Sequence, residues 1–139
     1  MFLFLRLLLA HFIGDFPFQF NFIYRLKLKG LFGIIPHAAI IFGWYVILCW
    51  PFLHLPKLWV FLAALGCVHL LQDNVKLKFG THQCTFWPYV IDQLFHIATI
   101  AMLFLTDLRH LAPPADSNSA WIQLYRDDKL LIYLIALII

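Results

Sequence analysis

Three pairs of histidine and aspartate stand out in an otherwise apolar sequence, because the two residues of each pair are four positions apart. The pairs are His11 and Asp15, His69 and Asp73, and Asp92 and His96. Residues four apart lie on the same face of an α-helix, so each imidazole is expected beside its carboxylate. A given aspartate would have a histidine at this spacing by chance roughly one time in ten, so three such pairs indicate a shared site.

Imidazole and carboxylate groups without a thiolate are the ligand set of zinc, iron(II) and manganese sites. The six paired residues are therefore predicted to bind a divalent metal, with His37 as a further ligand or as a proton shuttle. Such a metal neutralises buried carboxylates and activates a bound water near neutral pH, which favours hydrolysis of an ester or phosphoester presented by a lipid. Gln19 continues the polar face of the first pair, and Lys76 continues that of the second. Lys76 either steadies a substrate phosphate or forms an ion pair with Asp73, three residues earlier.

The three cysteines do not indicate a disulfide framework or a thiolate metal site. Their number is odd, and Cys49, Cys67 and Cys84 form no Cys-x-x-Cys motif. Cys84 follows His82 in a predicted loop and is expected to be a plain loop thiol.

The composition places these polar residues in a membrane. Of the 139 residues, 63% are hydrophobic and only 12% are charged, and the mean hydropathy is +0.86. Average soluble proteins have about a quarter charged residues, so a water-soluble monomer is excluded. The net charge of +3 comes from lysines and arginines in short loops, which is typical of a membrane topology signal and not of nucleic-acid binding. No phosphate-binding glycine loop or dinucleotide motif is present, so soluble nucleotide chemistry is not expected.

Four apolar segments have about the length of 20 residues that crosses a bilayer. They are Phe2 to Tyr24, Leu31 to Leu53, Pro56 to Gln72 and Pro88 to Leu105. A further apolar run, Leu130 to Ile139, spans only if Trp121 to Lys129 continues the same helix, and otherwise it lies in the interface. The sequence thus predicts an all-α integral membrane protein. A bundle of four transmembrane helices (residues 1–110) is followed by a linker (111–119) and a short C-terminal fifth helix (120–139).

The loop charges predict the orientation of the bundle. The basic residues of the first and third loops are Arg25, Lys27, Lys29, Lys76 and Lys78, whereas the second loop carries only Lys57. Positively charged loops stay in the cytoplasm, so the N-terminus is expected outside, unless Arg6 and dual topology alter this. Because neighbouring helices run in opposite directions, the paired residues and His37 then reach a similar height in the cytoplasmic half of the membrane.

Two residues beside Asp15 are expected to shape the first helix. Pro17 has no N–H and leaves the carbonyl of Ile13 without its helical donor, which predicts a kink. Gly14 is expected to allow close packing of a neighbouring helix rather than contact with a ligand.

Two other interpretations fit the same polar residues. Chains of aspartate and histidine inside membranes also form proton or cation relays, and with only four helices a transporter of this kind requires an oligomer. Alternatively, each pair is a hydrogen-bonded strut between helices, in an accessory subunit of a larger membrane complex. The expected partners are therefore the lipid bilayer, a lipid substrate, and either further copies of the chain or other membrane subunits.

The polar motifs and their surroundings resemble a known family. The stretches AHFIGDFPFQFNFIYRLKLKG, PHAAIIFGWYV, VHLLQDNVK and IDQLFHIATI are similar to small bacterial membrane proteins known as domain of unknown function 3307. The matching residues are His11, Asp15, Phe16, Gln19, His37, His69, Asp73, Lys76, Asp92, Gln93 and His96, within roughly residues 9 to 105. The resemblance implies a shared polar site that includes Gln93, and a location in the bacterial cytoplasmic membrane. A loose similarity to small membrane-bound metal-dependent hydrolases favours an enzyme.

Overall fold

The computed structural model describes residues 1–79, 86–112 and 120–138, and all regular structure in these ranges is helical. Its seven α-helices are α1 (Phe2–Asp15), α2 (Asn21–Lys27), α3 (Leu31–Leu48), α4 (Pro56–Phe79), α5 (Phe86–Ala101), α6 (Ala120–Arg126) and α7 (Asp128–Ile138). Short 3-10 turns lie at Trp50–Phe52, Met102–Leu105 and Asp107–His110. The all-helical prediction is confirmed. Most of the predicted linker, together with His82 and Cys84, lies outside the described residues.

Three helical segments of the described chain are long and apolar enough to cross a membrane, namely Leu31–Leu48, Pro56–Lys78 and Phe86–Leu105. Helix α1 has 14 residues and is about 21 Å long, which is shorter than a hydrocarbon core of roughly 30 Å. Helix α3 ends at Leu48 rather than at the predicted Leu53, and α4 continues past Gln72 to Phe79. The longer α4 keeps Asp73 and Lys76 on a helix.

The predicted helix Phe2 to Tyr24 is wrong, because α1 ends at Asp15. Pro17 has no N–H for the Ile13 carbonyl, and the backbone N–H of Phe18 donates to that carbonyl instead, at 3.1 Å. The chain then turns and begins the separate helix α2 at Asn21. The predicted kink at Pro17 is therefore a helix end.

Helix α1 lies at the centre of the bundle and packs against α3, α5 and α7. Leu3, Leu7 and Ala10 join a core with residues of α3, α4 and α5, whereas Leu5 and Leu9 face α7. A helix that is apolar around its circumference is expected in such a buried position. The polar residues near its C-terminal end are therefore surrounded by other helices.

The C-terminal segment forms two helices that are separated at Asp127. The Asp127 carboxylate caps α7, because its Oδ1 accepts hydrogen bonds from the backbone N–H groups of Lys129 (2.9 Å) and Leu130 (3.1 Å). Helix α7 has 11 residues and is about 16 Å long, so it cannot cross the bilayer alone. The C-terminal run was expected to span the membrane only if one helix continued from Trp121 through Lys129. Because α6 ends at Arg126 and α7 begins at Asp128, this condition is not met.

A buried arginine connects α1 to the C-terminal helices. Arg6 is fully buried, and its guanidinium donates to the Asp128 carboxylate and to the Tyr125 carbonyl. It also donates to the Phe2 carbonyl at 2.8 Å and lies 3.4 Å from the centroid of the Phe2 ring. The pairing joins the first turns of α1 to the start of α7.

We expect the replacement of Asp128 by alanine to lower the free energy of unfolding by about 1–3 kcal/mol, because a hydrogen-bonded partner of a buried cation is lost. The effect stays moderate, since the Asp128 side chain is 44% exposed and Arg6 retains two carbonyl acceptors. The measurement is thermal unfolding in detergent. Asp107→Ala is the matched control, because Asp107 pairs with Lys57 at an exposed position and its loss should cost about 0–1 kcal/mol. An equal loss in both variants would contradict the role of Arg6.

Candidate metal centre

The predicted site residues converge at one end of the bundle. The site lies between the C-terminal halves of α1 and α4, the N-terminal half of α3 and the middle of α5. The residues brought together are His11, Asp15, Gln19, His37, His69, Asp73, Lys76, Asp92, Gln93 and His96. The expectation that the polar residues of the different helices converge is confirmed.

Asp15 is held by residues of other helices. His37 Nε2 donates to Asp15 Oδ1 at 2.9 Å, and Gln93 Nε2 donates to Asp15 Oδ2 at 3.0 Å. His11, its neighbour on α1, lies farther away, with 3.6 Å between His11 Nε2 and Asp15 Oδ2. The spacing of four thus places both residues on one face, but the hydrogen bonds to the carboxylate run between helices.

Asp73 is the centre of a second group of contacts. Its Oδ2 lies 2.7 Å from Lys27 Nζ, 3.4 Å from His69 Nε2 and 3.5 Å from His37 Nε2. The Asp73 side chain is 2% exposed, so these contacts are shielded from solvent. A single carboxylate oxygen therefore faces one ammonium and two imidazoles.

His96 is oriented as a metal ligand is in many proteins. Its Nδ1 lies 2.8 Å from the backbone carbonyl of Asp92, and because a carbonyl only accepts, Nδ1 carries the proton. The other ring nitrogen, Nε2, then presents a lone pair, and it is buried without a hydrogen-bond partner in the described part of the chain. A backbone carbonyl that fixes the tautomer in this way is the usual support of a ligating histidine.

Four buried imidazoles pack together around His69. Its ring centroid is 4.6 Å from that of His96, 5.4 Å from that of His37 and 5.5 Å from that of His11. Both ring nitrogens of His69 lack a hydrogen-bond partner among the described residues. Buried polar groups are nearly always paired, so these unpaired nitrogens are available to bind a ligand.

Among the described residues, two groups of side chains have the geometry to hold a metal ion, and they share His69. One consists of Asp15, His37 and His69, the other of His69, Asp73 and His96, and the ligand atoms of each group lie within 4.8 Å of one another. Four of the six predicted ligands thus fall in these groups, together with His37. His11 and Asp92 lie beside the groups and belong to neither.

Lys27 is a site residue that the sequence reasoning missed, since it was assigned only a role in topology. It is buried on α2, and its ammonium pairs with Asp73. With its side-chain amide oriented to satisfy both neighbours, Gln19 donates to the Asp15 carbonyl (3.1 Å) and accepts from Lys27 (3.2 Å). The sequence signal for the burial of Lys27 is its spacing of four from Ile23, which places both residues on the same face of α2. These two are the buried residues of this helix.

Lys76 lies at the rim of the site. Its ammonium pairs with Asp92 on α5. The ion-pair partner of Asp73 is Lys27 on α2. The ion pair predicted within α4, between Lys76 and Asp73, is therefore replaced by two ion pairs between helices. The Lys76 side chain is 41% exposed, which makes it the most accessible charged group of the cluster. Lys76 is therefore positioned to meet a charged group that approaches from outside the bundle.

The carboxylates of the site are only partly neutralised. Asp73 and Asp92 each pair with a lysine, but no lysine or arginine lies within ion-pair distance of Asp15 in residues 1–79, 86–112 and 120–138. With neutral histidines the cluster carries one uncompensated negative charge inside the bundle. A buried negative charge of this kind favours binding of a cation.

Close packing at Gly14 supports this arrangement. A Cβ atom at Gly14 would lie 2.5 Å from Cγ1 of Ile41, so α1 and α3 approach each other directly beside Asp15. The predicted packing role of Gly14 is confirmed, and this approach places Asp15 within reach of His37 on α3.

Comparison with known families adds one finding. The family described as Protein of unknown function (DUF3307) matches residues 3–123, and the chain belongs to this family. No curated protein and no solved structure gave a match. The family description states no activity, so the function follows from the chemistry of the site.

Proposed function

We propose that this DUF3307 protein is a metal-dependent hydrolase of the bacterial inner membrane that acts on esters or phosphoesters of lipids. The metal is held by His69, Asp73 and His96, and zinc, iron(II) and manganese are the candidate ions. The observation that carries the proposal is the set of unpaired, buried ring nitrogens on His69 and His96, because these two histidines and Asp73 offer ligand atoms within 4.8 Å of one another.

The membrane location is supported by apolar side chains on the outside of the long helices. Phe32, Val60 and Trp87, for example, are largely exposed in the isolated chain. Exposed apolar surface on every long helix is expected where lipid covers it. We infer that α1 is a fourth, shorter membrane helix inside the bundle. Arg25, Lys29 and Lys78 lie at the end that contains the site, so the site faces the cytoplasmic leaflet.

Two histidines and one carboxylate are a typical set of protein ligands for a catalytic divalent metal, because three protein ligands leave one position for water. A metal bound there supplies an activated water and polarises the ester or phosphoryl oxygen. Nitrogen ligands in the majority suit zinc or iron(II) better than magnesium or calcium.

His37 and Asp15 are proposed as the proton-transfer pair beside the metal. His37 donates from Nε2 to Asp15, and Gln93 fixes the other oxygen of that carboxylate. The Nδ1 atom of His37 is buried and has no hydrogen-bond partner in the described chain, so it is free to accept a proton. A histidine oriented by a carboxylate is a common general base.

Lys76 is proposed to bind the charged headgroup of the substrate. It is the exposed charged residue of the site, and its partner Asp92 holds it at the rim. A lipid phosphate or carboxylate that enters from the leaflet would meet Lys76 before it reaches the buried histidines.

Metal analysis of two aspartate variants tests the centre. We expect purified wild-type protein to contain stoichiometric metal and Asp73→Asn to lose it, because Asp73 is the only carboxylate of its ligand group. Asp92→Asn is the matched control and should retain metal, since its carboxylate lies outside both groups and its backbone carbonyl still orients His96. The measurement is elemental mass spectrometry of protein purified in detergent without chelators.

The same preparations test hydrolysis with lipid esters and phosphoesters in mixed micelles. Turnover should be measurable in the wild type and should disappear in Asp73→Asn together with the metal. A wild type that contains no metal would exclude the hydrolase.

A proton or cation relay in an oligomer is the second candidate. It is favoured by a chain of contacts that links four helices. Gln93 lies 3.0 Å from Asp15, Asp15 lies 2.9 Å from His37, and His37 lies 3.5 Å from Asp73. Proton or cation flux in liposomes, with no metal in the protein, would support this candidate over the hydrolase.

A further inference from the structure

Lys27 stands out because a lysine is rarely buried this deeply. It is 7% exposed and forms the last residue of α2, outside the long helices. Its Nζ atom forms an ion pair with Asp73 Oδ2 at 2.7 Å, and Gln19 accepts a hydrogen bond from it at 3.2 Å. The ammonium is thus bound on two sides inside the polar cluster.

The Asp73 oxygen that binds Lys27 also faces the histidines. Asp73 Oδ2 lies 3.4 Å from His69 Nε2 and 3.5 Å from His37 Nε2. A divalent ion on Asp73 and His69 would lie directly beside the Lys27 ammonium. Two cations that bind the same carboxylate oxygen in a dry site repel each other strongly. The divalent ion and the Lys27 ammonium are therefore alternative partners of Asp73.

We propose that Lys27 is an internal competitor for the metal, which neutralises Asp73 when the centre is empty and is displaced when a divalent ion binds. Lys27 thereby sets the affinity of the site, and only an ion that binds His69 and His96 strongly enough replaces it. This inference rests on the metal centre proposed above.

The fold allows such a displacement. Helix α2 has seven residues, and its buried residues are Ile23 and Lys27. Arg25 lies on α2 and Lys29 follows it, and both side chains are exposed. The surface beside α2 therefore already holds cationic side chains. In the proposed displacement, a change in the side-chain conformation of Lys27, the last residue of α2, moves its ammonium toward this surface.

Zinc affinity, measured by competition with a chromophoric chelator in detergent, tests the proposal. Lys27→Met should bind zinc about tenfold or more tightly than wild type, which corresponds to about 1.4 kcal/mol for each factor of ten. Lys29→Met is the matched control, because Lys29 is exposed, and its affinity should be unchanged.

Acetylation of lysines in the wild-type protein gives a second readout, which does not depend on whether Lys27→Met folds. With an amine-reactive acetyl ester and peptide mass spectrometry, the labelling of Lys27 should rise when zinc is added. The labelling of Lys29 should stay the same.

The outcomes separate this inference from the metal centre itself. Tighter zinc binding by Lys27→Met and zinc-dependent labelling of Lys27 support the competition. Stoichiometric zinc binding that is equal or weaker in Lys27→Met, with Lys27 unlabelled in the loaded protein, overturns the competition and leaves the metal centre intact. Absence of zinc binding in wild type and both variants overturns the metal centre, and the competition with it.

Discussion

Replacement of His69 by alanine is expected to reduce bound metal from a stoichiometric amount to background and to abolish hydrolysis. His69 belongs to both candidate ligand groups, so its loss leaves each with two ligands. Loss of groups that merely support a ligand already weakens metal binding by about 10–100-fold, and loss of the shared ligand should exceed that range. Elemental mass spectrometry and turnover of a lipid ester provide the two measurements.

His54→Ala is the control for this experiment, because His54 is an exposed histidine in the connection between α3 and α4. It should retain full metal content and activity. His69→Asn keeps a polar side chain at the position and separates loss of the ligand from loss of packing, since it should fold and still lack metal. Metal retained by both His69 variants would show that the ion binds elsewhere and would overturn the assigned centre.

Replacement of Gly33 by alanine is expected to lower the free energy of unfolding by about 3 kcal/mol, at the upper end of the usual cost of overpacking. A Cβ atom at Gly33 would lie 1.7 Å from the carbonyl oxygen of Leu26 and 3.3 Å from the backbone N of Lys27. These are backbone atoms of α2, so the helix itself must move away from α3. Because Lys27 ends α2, its ion pair with Asp73 should be weakened at the same time.

Thermal unfolding in detergent measures this effect, and Gly43→Ala on the same helix is the matched control. No described atom lies within 4 Å of a Cβ at Gly43, so this change should be neutral or should stabilise the protein by up to about 1 kcal/mol through helix propensity. Greater acetylation of Lys27 in Gly33→Ala than in Gly43→Ala would locate the damage at α2. Equal melting temperatures in the two variants would contradict the close approach of α2 and α3.

The pairing of charges illustrates how far local spacing predicts a site. The spacing of four correctly placed His69 beside Asp73, because the helical period alone determines which residues share a face. It did not identify His37 as the partner of Asp15, since that contact depends on how α3 is rotated and how closely it packs on α1 at Gly14. Spacing likewise suggested Asp73 as the partner of Lys76, whereas Lys76 pairs with Asp92 on another helix.

The sequence by itself determined the helical class, three segments that are long and apolar enough to cross a membrane, and the convergence of the polar residues. Hydropathy, helical period and rise are properties of the local chain, so they need no knowledge of packing. The tertiary structure alone decided that α1 ends at Asp15, that Arg6 binds the C-terminal helices, and that Lys27 reaches Asp73. Such contacts join residues far apart in the chain, and they depend on the rotation of helices and on the reach of long side chains, which local spacing does not encode.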